Sequence, residues 1–242
     1  VSATSPHDSS AGRLGILTGL VSEARVLEKA CRGLSPERHP LIRVCGGKPP
    51  TARRMAEELA QESNIAGLVS FGIAGALDPT LPAGALVLPD SVRDAKGFDH
   101  PVDVAWRNRL AALLPGATID VRAYGSETVV ADIAGKAALH RDAAAAIVDM
   151  ESHILGKVAD AAGLPFLIVR AVSDHAGRDL PPSALCGTAP DGSVRPGAVI
   201  ARLMTRPQDL PGLIALGRAS ARAHRALAQV ALLGGGLLGL IV

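Results

Sequence analysis

Short, uninterrupted apolar runs alternate along this chain with longer stretches in which charged and apolar positions interleave. The first run, Arg13 to Leu20, has the pattern of a buried strand. Ser22 then suits the cap of a helix in which Glu23, Arg25, Glu28 and Lys29 are interleaved with Val26, Leu27 and Ala30. Leu41 to Cys45 is a second run, stopped by Gly46-Gly47, and Pro49 and Thr51 introduce a helix through about Glu62. Ala66 to Phe71 predicts the next strand, expected to break at Gly72-Ile73-Ala74-Gly75. Ala85 to Leu88 and Thr118 to Ala123 read as strands, with a helix from Trp106 to Leu114 between them. Ala144 to Val148 and Pro165 to Val172 are two more buried strands, flanking a helix from about Glu151 to Ala162 that Gly163 ends. Strands alternating with helices imply a largely parallel sheet covered on both faces.

Two stretches depart from this alternation. Gly177 to Pro211 is punctuated by Pro, Gly, Asp and Arg around Leu185-Cys186, too long for an ordinary connection. It reads either as a lid over a binding site or as a surface excursion with a short helix at Ala198 to Met204. A last helix, from about Asp209, runs into Ala226 to Val242, which is apolar apart from Gln229 and carries four glycines. That run falls short of a membrane span. It either closes on the core or, with Leu185, touches a membrane surface or a greasy substrate. Residues 1–12 are polar, without the basic start and apolar run of a signal peptide, and read as a frayed tail. The rest, 13–242, reads as a single domain.

Composition narrows the function. The formal net charge is +2 and the basic residues are scattered, which argues against nucleic acid as a partner. Cys31, Cys45 and Cys186 lie far apart, with neither a disulfide framework nor zinc-ligand spacing. They fit a reducing, cytoplasmic compartment, and no metal is expected.

In open α/β sheets, ligands bind where strands end at their carboxyl side. Polar residues fall there four times: Glu23 after the first run, Gly72 to Gly75, Asp149-Met150-Glu151, and Ser173-Asp174. Acids directly after apolar runs cost several kcal/mol to bury unless they are paired or used.

These segments also carry a resemblance. Val148-Asp149-Met150-Glu151-Ser152, with Arg170-Ala-Val-Ser173-Asp174 further on, resembles the paired signature of the purine nucleoside phosphorylase and methylthioadenosine nucleosidase superfamily. Gly72-Ile-Ala-Gly75-Ala-Leu-Asp-Pro79 resembles its glycine-rich turn, and Leu14 to Glu23 its first strand and following acid. Val148 to His153 and Arg178 to Pro182 are most similar to the hopanoid-associated phosphorylases. The resemblance implies a three-layer α/β/α fold with a mixed, largely parallel sheet, no cofactor, and a homodimer. It implies cleavage of the bond between a purine and a ribose.

By the same resemblance, Asp174 is the acid that protonates purine N7, in surroundings that keep a proton available near neutral pH. Glu151 holds the ribose hydroxyls and faces the developing oxocarbenium ion, with Met150 against the sugar. Glu23 orients an attacking water, unless it is merely a solvated charge on the first helix. Gly72, Ile73 and Gly75 bring backbone amides to the ligand, Ser173 adjoins the acid, and Val129 reads the purine edge. Thr128 stands where relatives often place a stacking ring, so this position offers the base no ring.

The nucleophile stays open between water and phosphate as co-substrate. The hydroxyl of the glycine-rich turn is replaced by Ile73, while Gly46-Gly47-Lys48 and Arg53-Arg54 are candidate anion contacts. The substrate expected first is an adenosylated hopanoid, a lipid-linked purine nucleoside. Behind it come methylthioadenosine or adenosylhomocysteine, and a non-catalytic nucleoside or lipid binder.

Overall fold

The computed structural model describes residues 12–189, 191–235 and 238–240. In chain order the main elements are β1 (Arg13–Thr18), α1 (Val21–Ala30), β2 (Leu41–Val44), α2 (Pro49–Gln61) and β3 (Ile65–Ala76). Next come β4 (Leu86–Val87), β5 (Ser91–Arg93), β6 (Asp99–Pro101), α3 (Val104–Ala112) and β7 (Arg122–Gly125). The chain continues with α4 (Ile133–Ala143), β8 (Ala145–Asp149), α5 (Ser152–Ala162), β9 (Phe166–Asp174), α6 (Pro196–Thr205) and α7 (Leu210–Gly234).

The strands form one mixed, nine-stranded sheet in the order β2-β1-β3-β8-β7-β5-β6, with β9 on β3 and β4 on β9. Pairing is parallel for β1 with β2 and β3, for β3 with β9, and for β7 with β5 and β8. It is antiparallel where β3 meets β8. Ala52, Ala56 and Leu59 of α2 join Ile154, Leu155 and Ala159 of α5 in the core on one face. Leu27 of α1, Trp106 and Leu110 of α3, and Leu227 and Val230 of α7 pack on the other. The architecture is the expected three-layer α/β/α fold.

Several boundaries differ from the sequence reading. The strand expected to break at Gly72 runs on to Ala76, because Gly72 to Gly75 pair with Arg170 to Asp174 of β9 and Gly75 also pairs with Val148 of β8. Partners on both edges outweigh the low strand propensity of glycine. β9 likewise extends through Ser173 to Asp174. The strand expected over Thr118 to Ala123 lies at Arg122–Gly125, with Thr118 making only an isolated bridge to Val87. Ser22 is inside α1, whose N-cap is Leu20, and its hydroxyl meets His224 Nε2 at 2.9 Å. β5, β6 and α4 had no counterpart in the sequence reading.

The apolar C-terminal run continues α7 to Gly234, and Leu227, Val230, Ala231 and Leu238 are buried. The indole Nε1 of the fully buried Trp106 donates to the Leu238 carbonyl at 2.8 Å. This stretch packs one face on the core. Residues 1–11 of the expected tail lie outside the described residues, as do 236–237 and 241–242 at the other end. Among the described residues no helix is long and apolar enough to cross a membrane.

Candidate active site

β1, β3, β8 and β9 deliver their carboxyl ends to one cavity of about 360 Å³. Glu23, Ile73, Gly75, Val129, Met150, Glu151, Ser173 and Asp174 all line it. Of the nine residues given a role from the sequence, all but Gly72 therefore meet in one place. Leu180, Ala184, Leu185 and Thr188 also face the cavity, so part of the 177–211 segment forms its wall.

Glu23 sits in the first turn of α1 and is buried, not a solvated charge. Its Oε2 accepts from the Leu20 amide at 2.8 Å and its Oε1 from the Ile73 amide at 2.8 Å. The Ile73 N–H expected to meet a ligand is thus taken up by Glu23. Gly72 plays another part than expected as well. A Cβ there would come within 2.6 Å of both Glu23 Oε1 and Arg170 Nη1, so its bare backbone makes room for those side chains. A Cβ on Gly19 would meet Glu151 Oε1 at 2.7 Å, a second place where this cluster requires glycine.

Beneath the acids lies Arg170, in the middle of β9 and 1 % exposed. Its Nη2 donates to Ser70 Oγ at 2.6 Å and to Ser152 Oγ at 3.1 Å. The same nitrogen is 3.1 Å from Asp149 Oδ1 and 3.3 Å from Glu151 Oε2. Asp149 Oδ1 also accepts the Glu151 and Ser152 amides at 2.9 and 2.7 Å, holding the entry to α5. The sequence reading gives no role to Arg170, Ser70 or Ser152, and notes Asp149 at its strand end without one. A charge inside the apolar run from Pro165 to Val172 was the available signal, because a buried guanidinium requires acidic partners.

Burial, opposed by one guanidinium, sets the protonation of three carboxyl groups. Burial pushes Glu151 up to about 7, Asp149 and Glu23 add to this, and Arg170 opposes it. Burial also raises Glu23, against Arg170 and two backbone hydrogen bonds. For Asp149 burial acts upward too, but Arg170 and the bonds from residues 151 and 152 outweigh it and hold the group below the ordinary carboxylate range.

Asp174 closes the other side of the cavity. Its Oδ1 accepts from Ser173 Oγ at 2.9 Å, and its Oδ2 accepts from Lys136 Nζ at 2.6 Å. The surroundings are therefore an ion pair with a buried lysine of α4, where the sequence reading expected surroundings that favour a retained proton.

The charged residues on the cavity wall are Glu23, Asp149, Glu151 and Asp174, all acidic. Of the candidate anion contacts, Gly46 and Gly47 reach the wall, whereas Lys48, Arg53 and Arg54 do not. Arg54 instead pairs with Glu58 at 2.6 Å on the exposed side of α2. Among the described residues no cluster of three or more His, Cys, Asp or Glu side chains is arranged to hold a metal ion. The arrangement brings four carboxyl groups around the same space, which suits acid-assisted cleavage of a polar bond.

A family model described as the phosphorylase superfamily matches residues 28–185. Among curated proteins none matches this sequence. A futalosine hydrolase of Helicobacter pylori superposes with a TM-score of 0.68 at 11% identity, over 90% of this chain and 97% of that one. A 5'-methylthioadenosine/S-adenosylhomocysteine nucleosidase from S. pneumoniae, solved with a transition-state inhibitor, gives 0.63 at 14% identity, over 92% and 100%. That from Neisseria meningitidis, in complex with methylthio-immucillin-A, gives 0.65 at 15% identity, over 91% and 99%. At these identities the likeness is one of fold.

Proposed function

The chain belongs to the phosphorylase superfamily, and from that premise we propose that it cleaves the N-glycosidic bond of a purine nucleoside. The observation that carries this reading is that Glu151 and Asp174, from the ends of β8 and β9, open onto one cavity beside Glu23. Asp174 takes up a proton from solvent as the nucleoside binds and delivers it to N7 as the C–N bond stretches, so that the base leaves neutral and the carboxylate left behind is the form that Lys136 and Ser173 stabilise. Glu151 holds the ribose hydroxyls and stabilises the cationic sugar electrostatically. Glu23, fixed by the Leu20 and Ile73 amides, orients the nucleophile.

The nucleophile in this reading is water. A phosphate dianion entering the cavity would face four acidic side chains with no lysine or arginine on the wall. The buried cations behind the wall are already engaged, Arg170 by Glu151 and Asp149 and Lys136 by Asp174. The repulsion weighs heavily in a low-dielectric site, whereas a neutral water escapes it.

The substrate proposed first is an adenosylated hopanoid, with contact at a membrane surface and a homodimer as the assembly. Support comes from the resemblance of residues 148–153 and 178–182 and from α6, which follows the segment whose residues 184, 185 and 188 line the cavity. No residue of α6 is buried, and Ile200 and Met204 are 60% and 80% exposed. Arg195, Arg202 and Arg206 flank them, with no acid between residues 192 and 208. Apolar surface edged by arginine suits an anionic lipid interface. The second reading, methylthioadenosine or adenosylhomocysteine, is favoured by the nucleosidase fold with nucleoside analogues bound.

Free adenine released from adenosylhopane in vesicles, methylthioadenosine and adenosine, each with and without phosphate, tests all of this. Release that needs no phosphate and is fastest from adenosylhopane is the expected result. Preference for methylthioadenosine would select the second reading, and a strict phosphate requirement would overturn hydrolysis. No release from any of the three would overturn the function.

A further inference from the structure

The acid assigned to Asp174 is not free-standing. Lys136, in the second turn of α4, has no exposed surface. A buried ammonium is costly unless each of its hydrogens finds an acceptor. Here all three do: Asp174 Oδ2 at 2.6 Å, the His175 carbonyl at 3.2 Å and the Arg178 carbonyl at 3.0 Å. The fan of three bonds ties the end of β9 to the start of the segment that walls the cavity. Two more bonds secure the same junction: the Ile133 amide donates to Asp179 Oδ1 at 2.8 Å, and the Leu180 amide to the Ala131 carbonyl at 2.8 Å. Asp132 caps α4 through the Gly135 amide at 2.7 Å, which fixes the helix that presents the lysine.

On the reading of Asp174 as the acid, we propose that Lys136 is its positioning residue. The lysine engages Oδ2 while Ser173 engages Oδ1, so the carboxyl plane has one orientation beside the cavity. The carbonyl bonds set the height of residues 175–180, including Leu180 on the wall. Lys136 does not line the cavity and touches no substrate there; it acts through Asp174. Because the lysine orders the acid and not the sugar-binding carboxyl, its removal should be felt where a proton must reach the leaving group. Small displacements of a catalytic group have large effects on rate.

The experiment compares wild type, Lys136→Met, Asp174→Asn and the double variant on a purine nucleoside and on 4-nitrophenyl ribofuranoside. The nitrophenolate departs without a proton, so this second substrate bypasses the acid. For Lys136→Met, kcat on the purine nucleoside should fall about 100-fold with little change in KM. The loss should be confined to the purine leaving group, and the double variant should be no slower than Asp174→Asn alone. An unchanged kcat, an equal loss on both substrates, or a double variant far slower than Asp174→Asn would each overturn the proposal. If Lys136→Met does not fold, Lys136→Gln, which retains an amide donor for the carbonyls, carries the same comparison. If wild type cleaves nitrophenyl riboside alone, the double-variant arm on that substrate must show no effect of Lys136. A wild type that cleaves no purine nucleoside would be a failure of the proposed function, distinct from a failure of the lysine's role.

Discussion

Three carboxyl groups share one guanidinium beneath the cavity, and their unequal protonation has a measurable consequence for stability. Glu151, pushed up to about 7 by burial and by its acidic neighbours, binds a proton more tightly in the folded chain than in the unfolded one. A raised folded value means that this contribution is complete below the ordinary carboxylate range and is lost as pH rises through about 7. Glu23 is shifted in the same direction and adds to the effect. Asp149, held low, contributes the opposite slope only at the acid end. The protein should therefore melt several degrees higher near pH 5 than near pH 8, the Glu151 part amounting to as much as about 3 kcal/mol. Thermal melts of wild type and Glu151→Gln across this range check it. The variant should show a flatter profile, and an equally steep one would assign the slope elsewhere.

At the scale of elements, the C-terminal stretch illustrates how a weak helix former is held by tertiary contact. Gly234 and Gly235 disfavour helix, yet α7 reaches Gly234 because Leu227, Val230 and Ala231 pack on α3 and the sheet. Leu238 then folds back over Trp106 and Leu110 and is 1 % exposed. Leu238→Ala should cost about 2–5 kcal/mol, as expected for removing a buried leucine, and denaturant unfolding would measure it. A loss below about 0.5 kcal/mol, the range of surface substitutions, would mean that this segment does not close the core.

The same scale explains what was legible in the sequence. β1, β2, β8 and β9 could be read from apolar runs because both faces of these strands are covered. α4 could not: Ile133 to Ala143 carries no clear apolar stripe, and only Lys136 and Ala143 are buried. β5 and β6 are three residues each, set by pairing with distant partners. Seven of the eight cavity residues fall just past apolar runs and match a family signature, whereas Val129 rests on the family resemblance alone. Arg170 and Lys136 were missed because a lone basic residue in sequence does not reveal the acids that the fold brings to it. Gly72 was noticed but misread, since the close approach it permits is to Glu23 and Arg170.

For the whole molecule, the sheet works as a collector of strand ends. β3 is central, pairing with β1, β8 and β9, so the residues following those strands arrive around one cavity from separate parts of the chain. The helices behind it hold the acids in place: α1 presents Glu23, α5 begins at Glu151, and α4 pairs with Asp174. The wall is acidic throughout its charged positions, which joins the reading of proton delivery to that of water as nucleophile.

The most direct test is the rate of adenine release in phosphate-free buffer by wild type and by Asp174→Asn, a change that keeps the side chain's shape but removes its acid. The account predicts steady release by wild type and a loss of roughly 10²- to 10⁴-fold in the variant, the range for removing a general acid. Release by Asp174→Asn at the wild-type rate would contradict it.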